Sequence, residues 1–251
     1  MQSGERLQKA IANLGLASRR VAEGWIKAGR LSVNGEVATL GLRVQPDDQI
    51  RLDGRLVRRK APARSYKEVY IGHRSPAEAG DFRERLPKRK SLRYVSVSPM
   101  PRIDGGLEIF VSDGSLAALL QRRVRRLAGE FSVRVRGELQ PDQLEAIRAG
   151  MLDDGTQLHV EEISAAGGEG ANRWYLLHTF GASGKEVRQL FERQGAIVSR
   201  IIRTRLGMLA LERSLARGYF RPLTEPEIES LMSQSNDRPV TPRPAGPKSA
   251  R

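Results

Sequence analysis

The chain has 251 residues, 39% of them hydrophobic, and carries 43 Lys and Arg against 29 Asp and Glu, a formal net charge of +14. That length allows one large domain or two modest ones, and the positive excess favours a polyanionic partner, because each phosphate neutralised releases condensed counterions. With no cysteine and only three histidines (His73, His159 and His178), disulfides, thiol nucleophiles and Cys-ligated metals are excluded, and a His-rich metal cage is disfavoured.

Aromatic residues make up 5% of the chain, which argues against a stacking surface of many rings. Most of the cations are arginines, which can fork onto phosphates and base edges where lysine offers a point charge. The N-terminus lacks the apolar core of a secretion signal, and no run of 18 apolar residues occurs. A cytoplasmic protein that avoids membranes is expected.

In chain order, Leu7, Ala10, Ile11 and Leu14 have helical spacing and predict a helix over 5–14, stopped by Gly15. Ser18 is placed to cap a second helix with Arg19 and Arg20 in its first turn and Ala22, Trp25 and Ile26 on its buried face. Gly29 ends it. The period then changes to two, with Leu31 and Val33 before the turn pair Asn34-Gly35 and Val37 after it, and a second hairpin around Asp53-Gly54. Residues 1–57 thus form a small αα-β unit. Residues 58–65 have the composition of a basic linker.

The stretch 66–100 shows no clear period. Beyond it, strands are expected over 107–111, 132–136, 158–163, 174–179 and 197–204. Helices are expected over 115–127, 141–150 and 185–194. A second domain over 66–232 of mixed α/β type with a central, mainly antiparallel sheet follows, making the chain α+β overall. Residues 233–251 are polar and Pro-rich, which predicts a disordered tail.

A helix N-terminus attracts phosphate through its free N–H groups and its dipole. Arg19, Arg20, Lys27 and Arg30 add side-chain charge beside the second helix, and Lys9 flanks it from the first. These five residues are the candidate phosphate contacts of the first unit.

The run Leu-Gly-Leu-Ala-Ser-Arg-Arg-Val-Ala-Glu, followed by Ile-Lys-Ala-Gly-Arg-Leu-Ser-Val-Asn-Gly-Glu, is similar to the S-four-like RNA-binding domain of a ribosomal protein family. In that family the helix that begins Ser-Arg-Arg lies against structured RNA. The remainder resembles bacterial ribosomal RNA pseudouridine synthases of the RsuA/RluB type, nearest those acting on large-subunit RNA. Pro101-Arg102-Ile103-Asp104 resembles the family's Gly-Arg-Leu-Asp active-site motif, and residues 107–114 resemble the strand and turn after it. The segment 167–175, Gly-Gly-Glu-Gly-Ala-Asn-Arg-Trp-Tyr, matches a signature of that type, as do residues 185–191 and 198–203.

The resemblance implies isomerisation of a uridine without a metal or cofactor, in ribosomal RNA, by a protein expected to be monomeric. It makes Asp104 the catalytic carboxylate, acting as nucleophile or charge stabiliser. Arg188 is the first choice for the cation beside it and Lys185 the second. Arg102 would hold the target nucleotide once flipped from its stack. Phe131 stands where the family has a tyrosine and would stack on the uracil, though core is the other reading. Asn172 and Trp174 read as structural, with Trp174 filling a core.

The sequence also departs from the family. Residues 70–76, Tyr-Ile-Gly-His-Arg-Ser-Pro, replace an Asn-Lys-Pro-x-Gly stretch, and Pro101 replaces the glycine before the arginine. The loop after Asp104 is shorter than Asp-x-x-Thr-x-Gly, Phe131 lacks the tyrosine hydroxyl, and Arg122-Arg123 replaces a His-Pro pair. A displaced carboxylate costs about 10²-fold in rate per ~1 Å. Two readings therefore stay open: an active synthase, or a catalytically impaired relative that binds ribosomal RNA in ribosome assembly.

Overall fold

In the computed structural model of the chain, which describes residues 4–45, 47–57, 68–88 and 93–233, the first helix begins later than its apolar spacing suggests. Glu5–Arg6 form strand β1, and α1 spans Leu7–Asn13. The correction has a physical cause: Arg6 supplies no side-chain cap, while the Leu7 N–H donates to Leu42 O at 2.9 Å. The backbone before Leu7 is taken up by pairing with β4 (Arg43–Val44), a strand the sequence did not announce.

Helix α2 spans Arg19–Lys27, and Ser18 Oγ accepts from the Val21 N–H at 3.3 Å. Its end is a Schellman motif: Gly29 (φ +68°) donates to Ile26 O and Arg30 to Trp25 O. Strands β2 (Leu31–Val33) and β3 (Glu36–Val37) form the first hairpin, β5 (Ile50–Leu52) and β6 (Arg55–Leu56) the second. Asn34-Gly35 and Asp53-Gly54 all have positive φ, as two-residue hairpin turns that match strand twist require. Leu7, Ile11, Ala22, Ile26, Leu31 and Ile50 form the core of this unit, with Trp25 packed at its margin.

The described residues divide into two compact units, one containing residues 4–57, the other most of residues 68–233. Residues 58–67, which cover the expected linker, and the expected tail beyond Ser233 lie outside the described residues.

The second unit is built on a nine-stranded sheet. In chain order its strands are β7 (Val69–Arg74), β8 (Val95–Ser96), β9 (Gly105–Val111), β10 (Ala128–Arg136), β11 (His159–Glu169), β12 (Asn172–Phe180), β13 (Ile197–Leu206), β14 (Leu209–Ala210) and β15 (Phe220–Pro222). The path runs β11-β12-β10-β13-β9-β7-β15, with β14 beside β13 and β8 beside β9. Only the β13–β9 neighbours among these pairs are parallel. Helices α3 (Gly114–Arg123), α4 (Pro141–Ala149), α5 (Gly184–Glu192) and α6 (Glu225–Met232) complete the unit. Two cores result. One joins Phe131, Val133, Tyr175, Leu177 and Ile201 to Val187, Leu190 and Phe191 of α5. The other joins Ile71, Leu107, Ile109 and Val111 to Leu116 and Leu120 of α3 and Leu231 of α6. No described helix is long and apolar enough to cross a membrane.

Strand β7 is buried along nearly its whole length, yet it falls in the stretch without a readable period. Gly72 explains the difficulty. A Cβ there would lie 2.5 Å from the Phe82 ring, which stacks on Phe110 with centroids 5.2 Å apart. The residue that breaks the apolar run is the one that admits the phenylalanine. Gly72→Ala is expected to lose about 1–3 kcal/mol through overpacking. Chemical denaturation of Gly72→Ala, Phe82→Leu and the double variant measures this, and the double is expected to recover part of the loss; strict additivity would contradict the contact.

Candidate active site

Asp104 sits one residue ahead of β9, at the end of a loop over residues 98–104 that buried charge holds in place. Arg74, at the end of β7, donates from Nε to Glu108 Oε1 (2.7 Å) and from Nη2 to the carbonyls of Met100 (2.9 Å) and Pro101 (2.5 Å). Glu108 Oε1 also accepts from the Met100 N–H at 2.9 Å. From β13, Arg203 donates to Leu107 O (2.8 Å from Nε), Ser98 Oγ (2.8 Å) and Ser98 O (2.6 Å). Arg203 is 0% exposed, and burial pushes its guanidinium down to about 10, while Glu108 opposes that shift and Arg74 adds to it. Two cations against one carboxylate leave positive charge over, and main-chain carbonyls take it up.

Two glycines let the backbone through. A Cβ on Gly105 would lie 2.4 Å from Arg74 O, and one on Gly106 (φ +99°) would lie 2.4 Å from Arg203 O. The short connection after Asp104 is thus a close passage between β7 and β13. Gly184, at the start of α5, admits Met100 in the same way, since a Cβ there would meet its sulfur at 2.5 Å.

The structure brings Asp104 and Arg188 together. Arg188 donates from Nη2 to Oδ1 at 2.6 Å and from Nε to Oδ2 at 3.0 Å, and the Ile201 N–H donates to Oδ1 at 2.8 Å. Arg188 also donates to Glu192 Oε1 and Val198 O. Its hydrogen bonds to Asp104 are the main reason its guanidinium is held above its ordinary range. Asp104 is 0% exposed. Helix α5 supplies Arg188 because Ser183 caps it, in a capping box with Glu186 that Arg125 braces at 2.6 Å.

Arg102 and Lys185 are exposed. Lys185 lines a groove with Pro101, Gln121 and Arg125, which Asp104 does not line. Phe131 differs from the stacking expectation: it is 0% exposed within the core that α5 covers, so its ring presents no face to a base. Trp174 differs the other way. It is only partly buried, outside the core.

In the first unit, Arg19, Arg20 and Lys27 are exposed and Lys9 is half-buried. Arg30 is engaged elsewhere: it chelates Asp53 (2.9 and 2.5 Å) and lies over the Trp25 ring at 5.4 Å, which removes it from the free phosphate cations.

Sequence reading missed Arg74, Glu108 and Arg203 as a set. The available signal was a charge at an inward position of an apolar strand, as in Leu107-Glu108-Ile109.

A family model described as the S4 domain matches residues 5–50. The fold is that of a pseudouridine synthase: a solved structure described as a pseudouridylate synthase aligns with a TM-score of 0.58 at 20% identity, over 90% of this chain and 99% of that one. Curated relatives are named ribosomal large subunit pseudouridine synthase B. The one from Salmonella typhi is 36% identical over 93% of this chain and 89% of its own length, and the one from Vibrio cholerae 35% over 93% and 80%. The one from Pseudomonas aeruginosa is 38% identical over 94% of this chain, which spans 64% of that relative's length. The chain belongs to the ribosomal large subunit pseudouridine synthase B family.

Removing either partner of the buried Arg74–Glu108 pair leaves an uncompensated charge. Arg74→Met and Glu108→Leu are each expected to cost about 3 kcal/mol or more. Denaturant midpoints of the two variants and their double give the coupling, expected to be at least about 1 kcal/mol. Independent, additive losses would contradict the clamp.

Proposed function

We propose that the protein isomerises a uridine of large-subunit ribosomal RNA to pseudouridine, as a cytoplasmic monomer, with Asp104 as its catalytic carboxylate. The supporting observation is the bidentate Arg188–Asp104 contact at the head of β9, in a member of this family. Arg188 orients the carboxylate and stabilises its charge. Asp104 adds to, or stabilises charge at, ribose C1′ while the C1′–N1 bond breaks. The uracil turns and C5 bonds to C1′. The C5 proton passes to the released Asp104 carboxylate, and N1 gains a proton. Arg102 and Lys185, both exposed, hold the extruded nucleotide by its phosphates. The S4-like unit anchors the RNA through Arg19, Arg20, Lys27 and Lys9.

A binding-only reading has one observation in its favour: Asp104 is closed off from solvent, so Arg188 must release it, or the loop must shift, before a base can approach. Mapping pseudouridine in ribosomal RNA from cells with the gene, without it, and carrying Asp104→Asn separates the two. The synthase reading expects one large-subunit site to vanish in both altered strains. An unchanged map would leave only binding.

The anchor is tested apart from chemistry. Arg19→Ala with Arg20→Ala is expected to weaken RNA binding and to flatten the log–log salt dependence by about 1.4–1.8, as for two lost phosphate contacts. An unchanged slope would place the phosphates elsewhere.

A further inference from the structure

The three strands β12, β10 and β13 have one face covered by α5 and its core. Their alternate residues face the other way. Register places Arg134 of β10 directly between Trp174 of β12 and Arg200 of β13. Val133 and Tyr175, the chain neighbours of Arg134 and Trp174, and Ile201, the neighbour of Arg200, all lie in the covered core. The row Arg200–Arg134–Trp174 therefore lies on the opposite face, with strands about 4.8 Å apart. All three side chains are partly exposed. The guanidinium groups of Arg134 and Arg200 have no hydrogen-bond or acidic partner among the described residues, whereas Arg74, Arg188, Arg203 and Arg221 are each bonded two or more times.

Beside this row a pocket opens, lined by Arg134, Glu169, Gly170, Ala171, Asn172 and Trp174. Its rim is a fixed hairpin. Arg173 donates to Gly170 O at 2.7 Å and Asn172 O at 3.1 Å, and a Cβ on Gly168 would lie 2.2 Å from Asn172 O. An aromatic ring, two unpaired guanidiniums and a polar rim match one ligand chemistry: an unpaired nucleotide. The ring offers a stacking face, the arginines neutralise phosphate, and Glu169 and Asn172 meet the base edge, the carboxylate accepting from an exocyclic amine.

We propose that this face of the sheet is a second RNA-binding site, in which an unpaired base stacks on Trp174 while Arg134 and Arg200 hold the flanking phosphates. It rests on the proposed function only in taking RNA as the partner, and it needs no chemistry at Asp104. It accounts for the tryptophan of segment 167–175, which the core does not use.

The test uses the full chain carrying Trp25→Phe, so that Trp174 is the only tryptophan. A short unstructured RNA oligonucleotide is expected to quench Trp174 fluorescence, and the same sequence annealed to its complement is not. Trp174→Ala, followed through a labelled oligonucleotide, is expected to weaken binding about tenfold. Trp174→Tyr, which keeps a ring, is expected to keep the parent's melting temperature and to bind nearly as the parent does. Arg134→Ala with Arg200→Ala is expected to flatten the salt slope by about 1.4. Equal quenching by the duplex, or unchanged affinity in Trp174→Ala, overturns the site. Failure of Trp174→Tyr to bind although folded overturns stacking as its basis. Asp104→Asn separates this from the catalytic reading: quenching that survives while no pseudouridine forms in any variant rejects catalysis alone. Pseudouridine formation without quenching rejects this site alone.

Discussion

Placing two arginines and a glutamate inside a small domain is costly unless every charge finds a partner, and here Arg74 and Glu108 pair with each other while backbone groups and the Ser98 hydroxyl between residues 98 and 107 take up the rest. Arg74, Glu108 and Arg203 come from three neighbouring strands, β7, β9 and β13. Together they grip Ser98, Met100, Pro101 and Leu107. Hydrogen bonds to charged groups are each worth about 1.5–3 kcal/mol, and buried charges left unpaired cost more. The loop conformation and the charge network therefore stabilise each other, and neither is expected to survive the loss of the other.

This arrangement recasts the sequence departures. A short connection after Asp104 suggests a displaced carboxylate. The chain instead closes the gap with Gly105 and Gly106, whose missing side chains let β9 start directly between β7 and β13. Pro101 loses an N–H, yet its carbonyl accepts from both Arg74 and Asp104. Arg74 itself lies within the segment that departs from the family's Asn-Lys-Pro pattern. Three of the departures, at 70–76, at Pro101 and in the connection after Asp104, thus meet in the clamp.

Much of the architecture was legible. The hairpin turns, the Ser18 cap and the Gly29 stop follow from local chemistry that tertiary contacts do not override. The strands β10 and β12 could be read because their inward residues alternate. What escaped were elements fixed by distant contacts: β1 through its pairing with β4, and β7 through Phe82 filling the space above Gly72. At the site, Asp104 and Arg188 were found by motif. The inward charges at 74, 108 and 203 were passed over because a charge in a strand reads as a solvent-facing residue. Phe131 and Trp174 exchanged their expected environments, since a single ring in a strand does not announce which face of the sheet it occupies.

The proposed chemistry requires that buried charge hold Asp104 in place. It is tested most directly by single-turnover release of tritium from ribosomal RNA labelled at uridine C5, since forming the C5–C1′ bond expels that hydrogen. The decisive comparison is the native chain against Arg74→Met with Glu108→Leu, at saturating protein. A rate about 10²-fold lower at unchanged RNA affinity is the predicted result, as for a carboxylate moved by ~1 Å. Release at the native rate by a folded double variant would contradict it.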